Sequence, residues 1–190
     1  RGELGAITNR GRLIRFSPVD LPAVPPNSVQ LAAGAKLRDY LGMTDKKEEL
    51  LSIVSLGAEE SIALGTAQGV VKRIQPGAWP NRPDFEVIAL KPGDSVVGVA
   101  QGPESDELVF ISSDAQLLHF PAAQVRPQGV AAGGMAGINL GAGATVIFFG
   151  SVDAEAVVAT ISVPEATLAG SDPGRAKVTP LAEFPGKGRA

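Results

Sequence analysis

Thr8-Asn9-Arg10-Gly11-Arg12-Leu13-Ile14-Arg15-Phe16 is a segment that the chain repeats, and the architecture follows from this repetition. Thr66-Ala67-Gln68-Gly69-Val70-Val71-Lys72-Arg73-Ile74 follows the same order of residue types, and Ser112-Ser113-Asp114-Ala115-Gln116-Leu117-Leu118-His119-Phe120 is a weaker copy. In each copy a short polar turn is followed by an apolar run that ends in a basic or imidazole side chain beside a large apolar one. Asn-Arg-Gly between two apolar runs is typical of a tight turn, since glycine adopts positive φ without a Cβ clash. The repetition therefore predicts a series of β-hairpins.

A second phrase, in which Leu stands three residues before a Gly, alternates with these hairpins. It occurs at 31–34, 90–93 and 140–143, and we expect each Gly to open a new apolar strand. A fourth hairpin is predicted from Val157–Ile161 and Arg175–Val178, joined by a long turn through 171–174.

The spacing of the hairpins predicts the architecture. The period of about 46 to 58 residues leaves room for roughly four short strands in each repeat. We therefore expect an all-β, propeller-like array of about three to four four-stranded blades with little helix. The approximate repeats are 1–56, 57–105, 106–155 and 156–190, the last of them incomplete.

Composition limits the class of protein. The chain has 190 residues, of which 44% are hydrophobic and 19% charged, so it is globular rather than disordered. It has no cysteine and no apolar run long enough to span a membrane. The start at Arg1, without a Met or a leader, predicts a fragment of a longer protein. A net charge of −3 argues against a polyanionic partner on average, but the basic residues collect at the repeated hairpins.

Catalytic motifs are not found in the sequence. His119 is the single histidine, and we interpret it as a surface residue of a strand. The acidic pairs Glu59-Glu60 and Asp106-Glu107 stand beside turns, where carboxylates are usually solvated. No serine lies in a Gly-x-Ser-x-Gly elbow, and no cluster has the spacing of metal ligands. We therefore predict neither a catalytic residue nor a metal site.

A glycine-rich run occupies residues 128–137 and has two interpretations. It lacks the Gly-Lys-Ser/Thr ending of a P-loop, which disfavours a nucleotide site. It is either a flexible linker between repeats or a loop whose backbone lies close to a phosphate chain, with Arg126 and Gln128 as its polar members.

The basic hairpin residues are the strongest candidates for binding. They are Arg10, Arg12, Arg15, Lys72 and Arg73. Because they recur at corresponding places of the repeat, an array of repeats would align them along one outer edge. Such an edge can follow a bent polyanion.

These phrases resemble a known family. Residues 7–15 and 65–73 look like repeats from the C-terminal domain of type IIA DNA topoisomerase A subunits, a group that includes gyrase A and the A subunit of topoisomerase IV. Residues 126–138 resemble the linking loop of that family, and the resemblance covers nearly the whole chain. It implies a β-pinwheel, in which neighbouring blades exchange a strand and double-stranded DNA bends around a basic perimeter.

The resemblance also implies how the functions are divided. DNA contacts would come from Arg10, Arg12, Arg15, Lys72, Arg73, Arg126, Gln128, Arg175 and Lys177. The domain itself would hold no cofactor, while ATP and Mg²⁺ would act elsewhere in an A2B2 holoenzyme that contains the catalytic core and the B subunit. The holoenzyme would be cytoplasmic and associated with the bacterial nucleoid. Tyr40, expected in a repeat strand, does not match the family's catalytic tyrosine.

One departure from the family bears on DNA wrapping. Gyrase A carries a basic box, Gln-Arg-Arg-Gly-Gly-Lys-Gly, whereas residues 128–137 contain no Lys or Arg and 186–189 are cut short. Together with a pI of about 5.2, this favours a topoisomerase IV-like subunit over gyrase. We expect weak, salt-sensitive binding without sequence preference. The alternatives are a gyrase domain whose box lies outside this fragment, and a propeller-like protein-interaction module without DNA binding.

Overall fold

The computed structural model describes residues 2–21, 23, 27, 34–77, 79–162 and 174–186. These residues form short strands with very little helix, as expected for an all-β fold. The strands are β1 (Leu4–Thr8), β2 (Arg12–Phe16), β3 (Leu50–Ser55), β4 (Ile62–Thr66), β5 (Val70–Ile74), β6 (Asp84–Glu86), β7 (Val96–Gln101), β8 (Glu107–Ser112), β9 (Leu117–Pro121), β10 (Pro127–Gln128), β11 (Met135–Ala136), β12 (Val146–Val152), β13 (Val157–Ser162) and β14 (Arg175–Pro180). The helix α1 is Leu37–Tyr40, and 3₁₀ turns cover Pro18–Asp20, Ala122–Gln124 and Leu181–Glu183.

The repeated hairpins form as predicted. They are β1–β2, β4–β5, β8–β9 and β13–β14, all antiparallel. Gly11 and Gly69 take φ values of 70° and 84° at the tips of the first two hairpins, and Ala115 takes 62° at the third. Ala115 thus adopts the left-handed conformation at a steric cost that glycine avoids.

Strand exchange links the repeats. The first sheet has the order β3-β1-β2-β6, and the second has the order β10-β5-β4-β7 with β11 also paired to β5. β6 follows the second hairpin but completes the first sheet, and β10 and β11 follow the third hairpin but complete the second sheet. Each of these sheets therefore takes its outer edge from the next repeat. The described residues give the third sheet the order β12-β8-β9 and the fourth the pair β13-β14.

The tips of the first two hairpins are also hydrogen-bonded by the next repeat. The amide of Val96 donates to the carbonyl of Asn9 at 2.9 Å, and the amide of Val146 donates to the carbonyl of Ala67 at 2.9 Å. These bonds hold the first residues of β7 and β12 against the tip of the preceding hairpin. Neighbouring sheets are thus fixed by backbone contacts as well as by packing.

The core lies between successive sheets. One cluster joins the first and second sheets through side chains such as Leu13 and Leu64, and another joins the second and third through side chains such as Phe110. Gly98 allows close approach in the second cluster, because a Cβ there would lie 2.2 Å from the carbonyl oxygen of Phe149. The second sheet is therefore buried on both faces, and the apolar runs of its strands reflect this.

Two local predictions differ from the structure. Of the phrase at 31–34, residues 31–33 lie outside the described residues, and α1 rather than a strand follows Gly34. Tyr40 is therefore in a helix, where its hydroxyl donates to the carbonyl of Ser17 at 2.9 Å. The predicted turn at 171–174 falls outside the described residues except for Gly174, as do residues 187–189 of the truncated 186–189 segment.

Candidate functional site

Arg73, the last basic residue of the second hairpin, lies in the interior and is only 2% exposed. Its Nη1 donates to the carbonyl oxygens of Ala122 at 2.9 Å and Val125 at 3.0 Å. Its Nη2 donates to Ser61 Oγ at 3.1 Å and to Glu104 Oε1 at 2.6 Å. Ala122 and Val125 belong to the 3₁₀ turn after the third hairpin and its C-cap. Arg73 thus ties the second sheet to the following repeat.

Lys72 is also buried, with no exposed surface. Its Nζ donates to three carbonyl oxygens, those of Val87 at 2.8 Å, Val130 at 2.8 Å and Ala132 at 2.7 Å. Burial lowers the pKa of the Lys72 amine to about 8, and the three carbonyl acceptors favour the ammonium form in opposition to it. Val87 follows β6, whereas Val130 and Ala132 lie between β10 and β11. Lys72 therefore fastens the exchanged segments of two neighbouring sheets.

His119 repeats the connection that Arg73 makes. Its Nδ1 lies 3.0 Å from Glu107 Oε2, and its Nε2 lies 3.1 Å from the carbonyl oxygen of Phe184. Phe184 caps the 3₁₀ turn after β14, just as Val125 caps the turn after β9. The His119 side chain is only 12% exposed, so its interpretation as a surface residue is wrong.

Arg15 occupies the equivalent position of the first hairpin, since Arg15 pairs with Gly5 as Arg73 pairs with Ala63. Its guanidinium carbon lies 5.8 Å from the centroid of the Phe85 ring, and its Nη1 lies 3.5 Å from Glu3 Oε2. Its Nε is buried without a hydrogen-bond partner among the described residues. Arg15 thus faces a less complete set of acceptors than Arg73.

The Arg12 guanidinium forms hydrogen bonds with two carboxylates. Its Nε and Nη2 each donate to a different oxygen of Glu48 at 2.9 Å, and its Nη1 donates to Asp84 at 2.8 Å. Thr8 adds a hydroxyl donor to the same buried carboxylate at 2.8 Å. The hydrogen bond from Arg12 lowers the pKa of Glu48, although burial acts in the opposite direction. The same bond raises the pKa of Arg12.

Arg10 lies at the tip of the first hairpin with a side chain that is 54% exposed, and its Nη2 lies 3.2 Å from Asp45 Oδ2. The pKa of Asp45 is lowered, mainly because its carboxylate accepts a hydrogen bond from the amide of Lys47 and to a lesser degree because of Arg10. An exposed ion pair of this kind stabilises little and exchanges readily with another anion.

The remaining predicted residues are more accessible. Arg126 is exposed directly before β10, while Gln128 is half-buried in that strand with its Oε1 unpaired among the described residues. Arg175 and Lys177 are exposed on β14. Lys177 pairs with Thr160 as Lys72 pairs with Leu64, so the two lysines occupy the same position of the repeat in different surroundings.

The prediction of one exposed basic edge is therefore wrong for Lys72 and Arg73. Both side chains donate to carbonyls of the next repeat instead, and a buried cation with several acceptors is saturated. The sequence held a signal for Lys72, since the equivalent positions of the first and third hairpins are the apolar residues Ile14 and Leu118.

The glycine-rich run is a structured connection rather than a flexible linker. β10 runs parallel to β5, and β11 runs antiparallel to it. A Cβ at Gly134 would lie 2.7 Å from the carbonyl oxygen of Val71, so this position admits only glycine without a local shift. The run delivers carbonyls to the Lys72 ammonium, and its backbone therefore faces a protein cation.

The sequence reasoning missed Arg82, an exposed arginine. Arg82 precedes β6, and Pro83 beside it accepts a hydrogen bond from the amide of Arg15 at 2.8 Å. Arg126 likewise precedes a proline, Pro127, that pairs with Arg73. The repeated dipeptide Arg-Pro was the available signal, and it places one exposed arginine on the outer edge of each of the first two sheets.

Metal clusters and membrane-spanning helices are two further classes of feature that bear on function. The described ranges contain no group of three or more His, Asp or Glu side chains that could hold a metal ion. No helix among them is long and apolar enough to cross a membrane.

Comparisons with known proteins agree with this geometry. A family described as "DNA gyrase C-terminal domain, beta-propeller" matches residues 6–55, 106–153 and 168–190. The DNA gyrase A protein of Deinococcus deserti is 30% identical over 192 residues, which cover 96% of this chain and 22% of that protein. The DNA gyrase A protein of Staphylococcus epidermidis is 23% identical over 187 residues, which cover 93% of this chain and 19% of that protein. The chain thus spans about a fifth of the length of these relatives.

Solved structures share the fold. The C-terminal domain of DNA topoisomerase IV aligns with a TM-score of 0.80 at 21% identity, covering 100% of this chain and 56% of that one. The DNA gyrase A C-terminal domain aligns with a TM-score of 0.69 at 19% identity, covering 99% and 57%. The E. coli ParC C-terminal domain aligns with a TM-score of 0.68 at 16% identity, covering 96% and 71%. The propeller-like architecture predicted from the repeats is confirmed.

Proposed function

Because the chain belongs to the family of DNA gyrase C-terminal domains, we propose that it is the non-catalytic, DNA-binding C-terminal domain of a bacterial type IIA topoisomerase A subunit. The family match over the first and third hairpins and over β14 is the observation that carries this proposal. The domain would bind and bend duplex DNA and so influence which segments undergo strand passage. Cleavage, ATP and Mg²⁺ chemistry would belong to the rest of an A2B2 holoenzyme with its B subunit.

The proposed contacts come from exposed cations. Arg10, Arg126 and Lys177 have accessible side chains, and Arg175 lies on the same strand as Lys177. Arg12 and Arg15, already close to carboxylates, would contribute only by exchanging those partners for phosphates, and Gln128 is a half-buried member of the set. Lys72 and Arg73 are left out, because their donors are used within the protein.

We expect the domain to bind duplex DNA weakly. In this respect we propose that it resembles topoisomerase IV rather than gyrase. Acidic partners neutralise the arginines of the first hairpin, and the net charge of −3 adds a general repulsion. Three phosphate contacts would give a salt slope of about −2.7, so a fourfold rise in salt would weaken binding about 40-fold.

The test is titration of a labelled duplex by anisotropy at about 50 and 200 mM salt. We expect binding at the lower concentration that falls steeply at the higher one and does not depend on sequence. Tight binding that ignores salt, or no binding at the lower concentration, would reject the proposal.

The second candidate is a protein-interaction module, and an apolar groove between β12 and β13 favours it. Ile147, Phe148, Val157 and Ile161 are exposed by 62%, 45%, 60% and 77% and line this groove. Absence of duplex binding at the lower salt concentration would favour this function.

A further inference from the structure

Two arginines at the same position of the repeat have different surroundings. Arg73 donates four hydrogen bonds and is 2% exposed. Arg15 donates no side-chain hydrogen bond to any described residue, although its Nε is buried. Its one ionic contact, with Glu3 Oε2, is long at 3.5 Å. A guanidinium has five N–H donors, so Arg15 keeps unused binding capacity.

This difference arises from the segment that follows the next hairpin along the chain. After β9, the 3₁₀ turn Ala122–Gln124 supplies the carbonyls that hold Arg73. The described residues between β5 and β6 contain no such turn. Asn81 and Arg82 pass near Arg15 instead and bring side-chain donors where the other repeat brings acceptors.

These residues line an open cavity of about 370 Å³, here called the Arg15 pocket. Its polar lining consists of Glu3, Arg15, Ser17, Asn81 and Arg82. Pro83 lies opposite Arg15 on the segment that leads into β6, so the pocket opens at the outer edge of the first sheet.

The lining favours an anion with several oxygens. Two guanidinium groups can each bind such an anion through paired N–H donors, and the amide and hydroxyl can add neutral donors. Glu3 is the one carboxylate in the lining, and its side chain is 65% exposed, so it can turn to solvent when another anion enters. A phosphate carries negative charge and several acceptor oxygens, so it complements this set of donors.

We propose that the Arg15 pocket is a phosphate site in which Arg15, Asn81 and Arg82 hold one backbone phosphate of a bound duplex. This inference rests on the proposed function and adds Arg82 and Asn81 to the contacts. Glu3 is the competing anion, so the pocket is partly self-inhibited in the absence of DNA.

The experiment uses the full chain with Arg82→Gln, Arg15→Gln and Glu3→Gln, and with Lys91→Gln as an exposed control outside the pocket. Labelled duplex is titrated between about 50 and 200 mM salt, and tryptophan fluorescence checks the fold. Arg82→Gln and Arg15→Gln should each weaken binding about tenfold at the lower salt. Because both arginines hold one phosphate, the double variant should reduce the salt slope by about 0.9. Glu3→Gln should strengthen binding, and Lys91→Gln should leave it unchanged.

The outcomes separate the two proposals. If the wild-type chain binds duplex but Arg82→Gln and Glu3→Gln leave affinity and slope unchanged, the pocket assignment is overturned and the proposed function stands. If the wild-type chain does not bind duplex, both fall. A further arm replaces chloride by inorganic phosphate at equal ionic strength and should change the affinity little. Displacement of the duplex by millimolar phosphate would identify a site for free phosphate and overturn the duplex assignment.

Discussion

Replacing Lys72 by Met removes a buried ammonium group and keeps most of the side-chain volume. The lost donor serves the carbonyls of Val87, Val130 and Ala132 at 2.7 to 2.8 Å. An unpaired buried acceptor costs about 1 to 3 kcal/mol, and water can reach the two that are partly buried. Relief of the buried charge offsets part of this loss. We therefore expect the free energy of unfolding to fall by about 3 kcal/mol, a large share of the roughly 5 to 15 kcal/mol typical of a domain.

Urea unfolding followed by tryptophan fluorescence measures this loss. Trp79 is the single tryptophan, and its Nε1 donates to the carbonyl of Leu56 at 3.0 Å, so its emission reports the packing of the first two sheets. With an m-value of about 2 kcal/mol/M, the midpoint should fall by about 1.5 M. The control Lys91→Met removes an exposed ammonium and should change stability by less than about 0.5 kcal/mol. Equal midpoints for Lys72→Met and the wild type would show that the Lys72 ammonium does not stabilise the fold.

The difference in unfolding free energy between the wild type and Lys72→Met should depend on pH, and this dependence reports the charge state of Lys72. Burial lowers the pKa of Lys72 to about 8 in the folded chain, against about 10.4 in the unfolded chain. Between these values the unfolded chain binds more protons, so a rise in pH favours the folded state. The stability advantage of the wild type over Lys72→Met should therefore grow from pH 8 to pH 10. A constant or shrinking difference would contradict the lowered pKa of Lys72.

Three further substitutions probe other parts of the fold. Glu48→Gln should lower the unfolding free energy at pH 7 by about 1 to 3 kcal/mol, because Arg12 loses a charged acceptor. Since Arg12 lowers the pKa of Glu48, this difference should be full above about pH 5 and shrink as pH falls. Ala115→Gly should raise thermal stability by about 1 kcal/mol, because it relieves a φ of 62°. Gly98→Ala should reduce soluble folded protein sharply, because its Cβ would lie 2.2 Å from the carbonyl oxygen of Phe149.

For each of these three substitutions, one outcome would contradict the prediction. A Glu48→Gln difference that persists unchanged at pH 3 would exclude the assigned ion pair. Destabilisation by Ala115→Gly would show that the turn is not strained. Normal yield and an unchanged melting temperature for Gly98→Ala would show that the second and third sheets are less closely packed than described.

The hairpins were predictable from the sequence because their signals are local. Turn glycines such as Gly11 and Gly69 and the apolar runs around them lie within nine residues. The third tip was also recognisable, although Ala115 replaces glycine there. The exchange of outer strands came only from the family resemblance, since β6 and its partner β2 are far apart in the chain.

The partners of the basic residues were not predictable from their recurrence alone. A cation at the end of a strand gives the same pattern whether its partner is a phosphate or a carbonyl. The partners of Lys72 at Val130 and Ala132 are 58 and 60 residues away, so only the fold brings them together. At Arg73 and His119 the shared position reflects a structural need, which is a side chain that hydrogen-bonds to a carbonyl of the following repeat.

We propose that the exposed cations bind duplex DNA, whereas Lys72 and Arg73 hold the sheets together. Duplex titration of the triple variant Arg10→Glu, Arg126→Glu, Lys177→Glu, beside the wild type at about 50 mM salt, tests it most directly. We expect the variant to keep the wild-type urea midpoint and to lose nearly all duplex binding. A variant that folds normally and binds duplex with full affinity would contradict the claim.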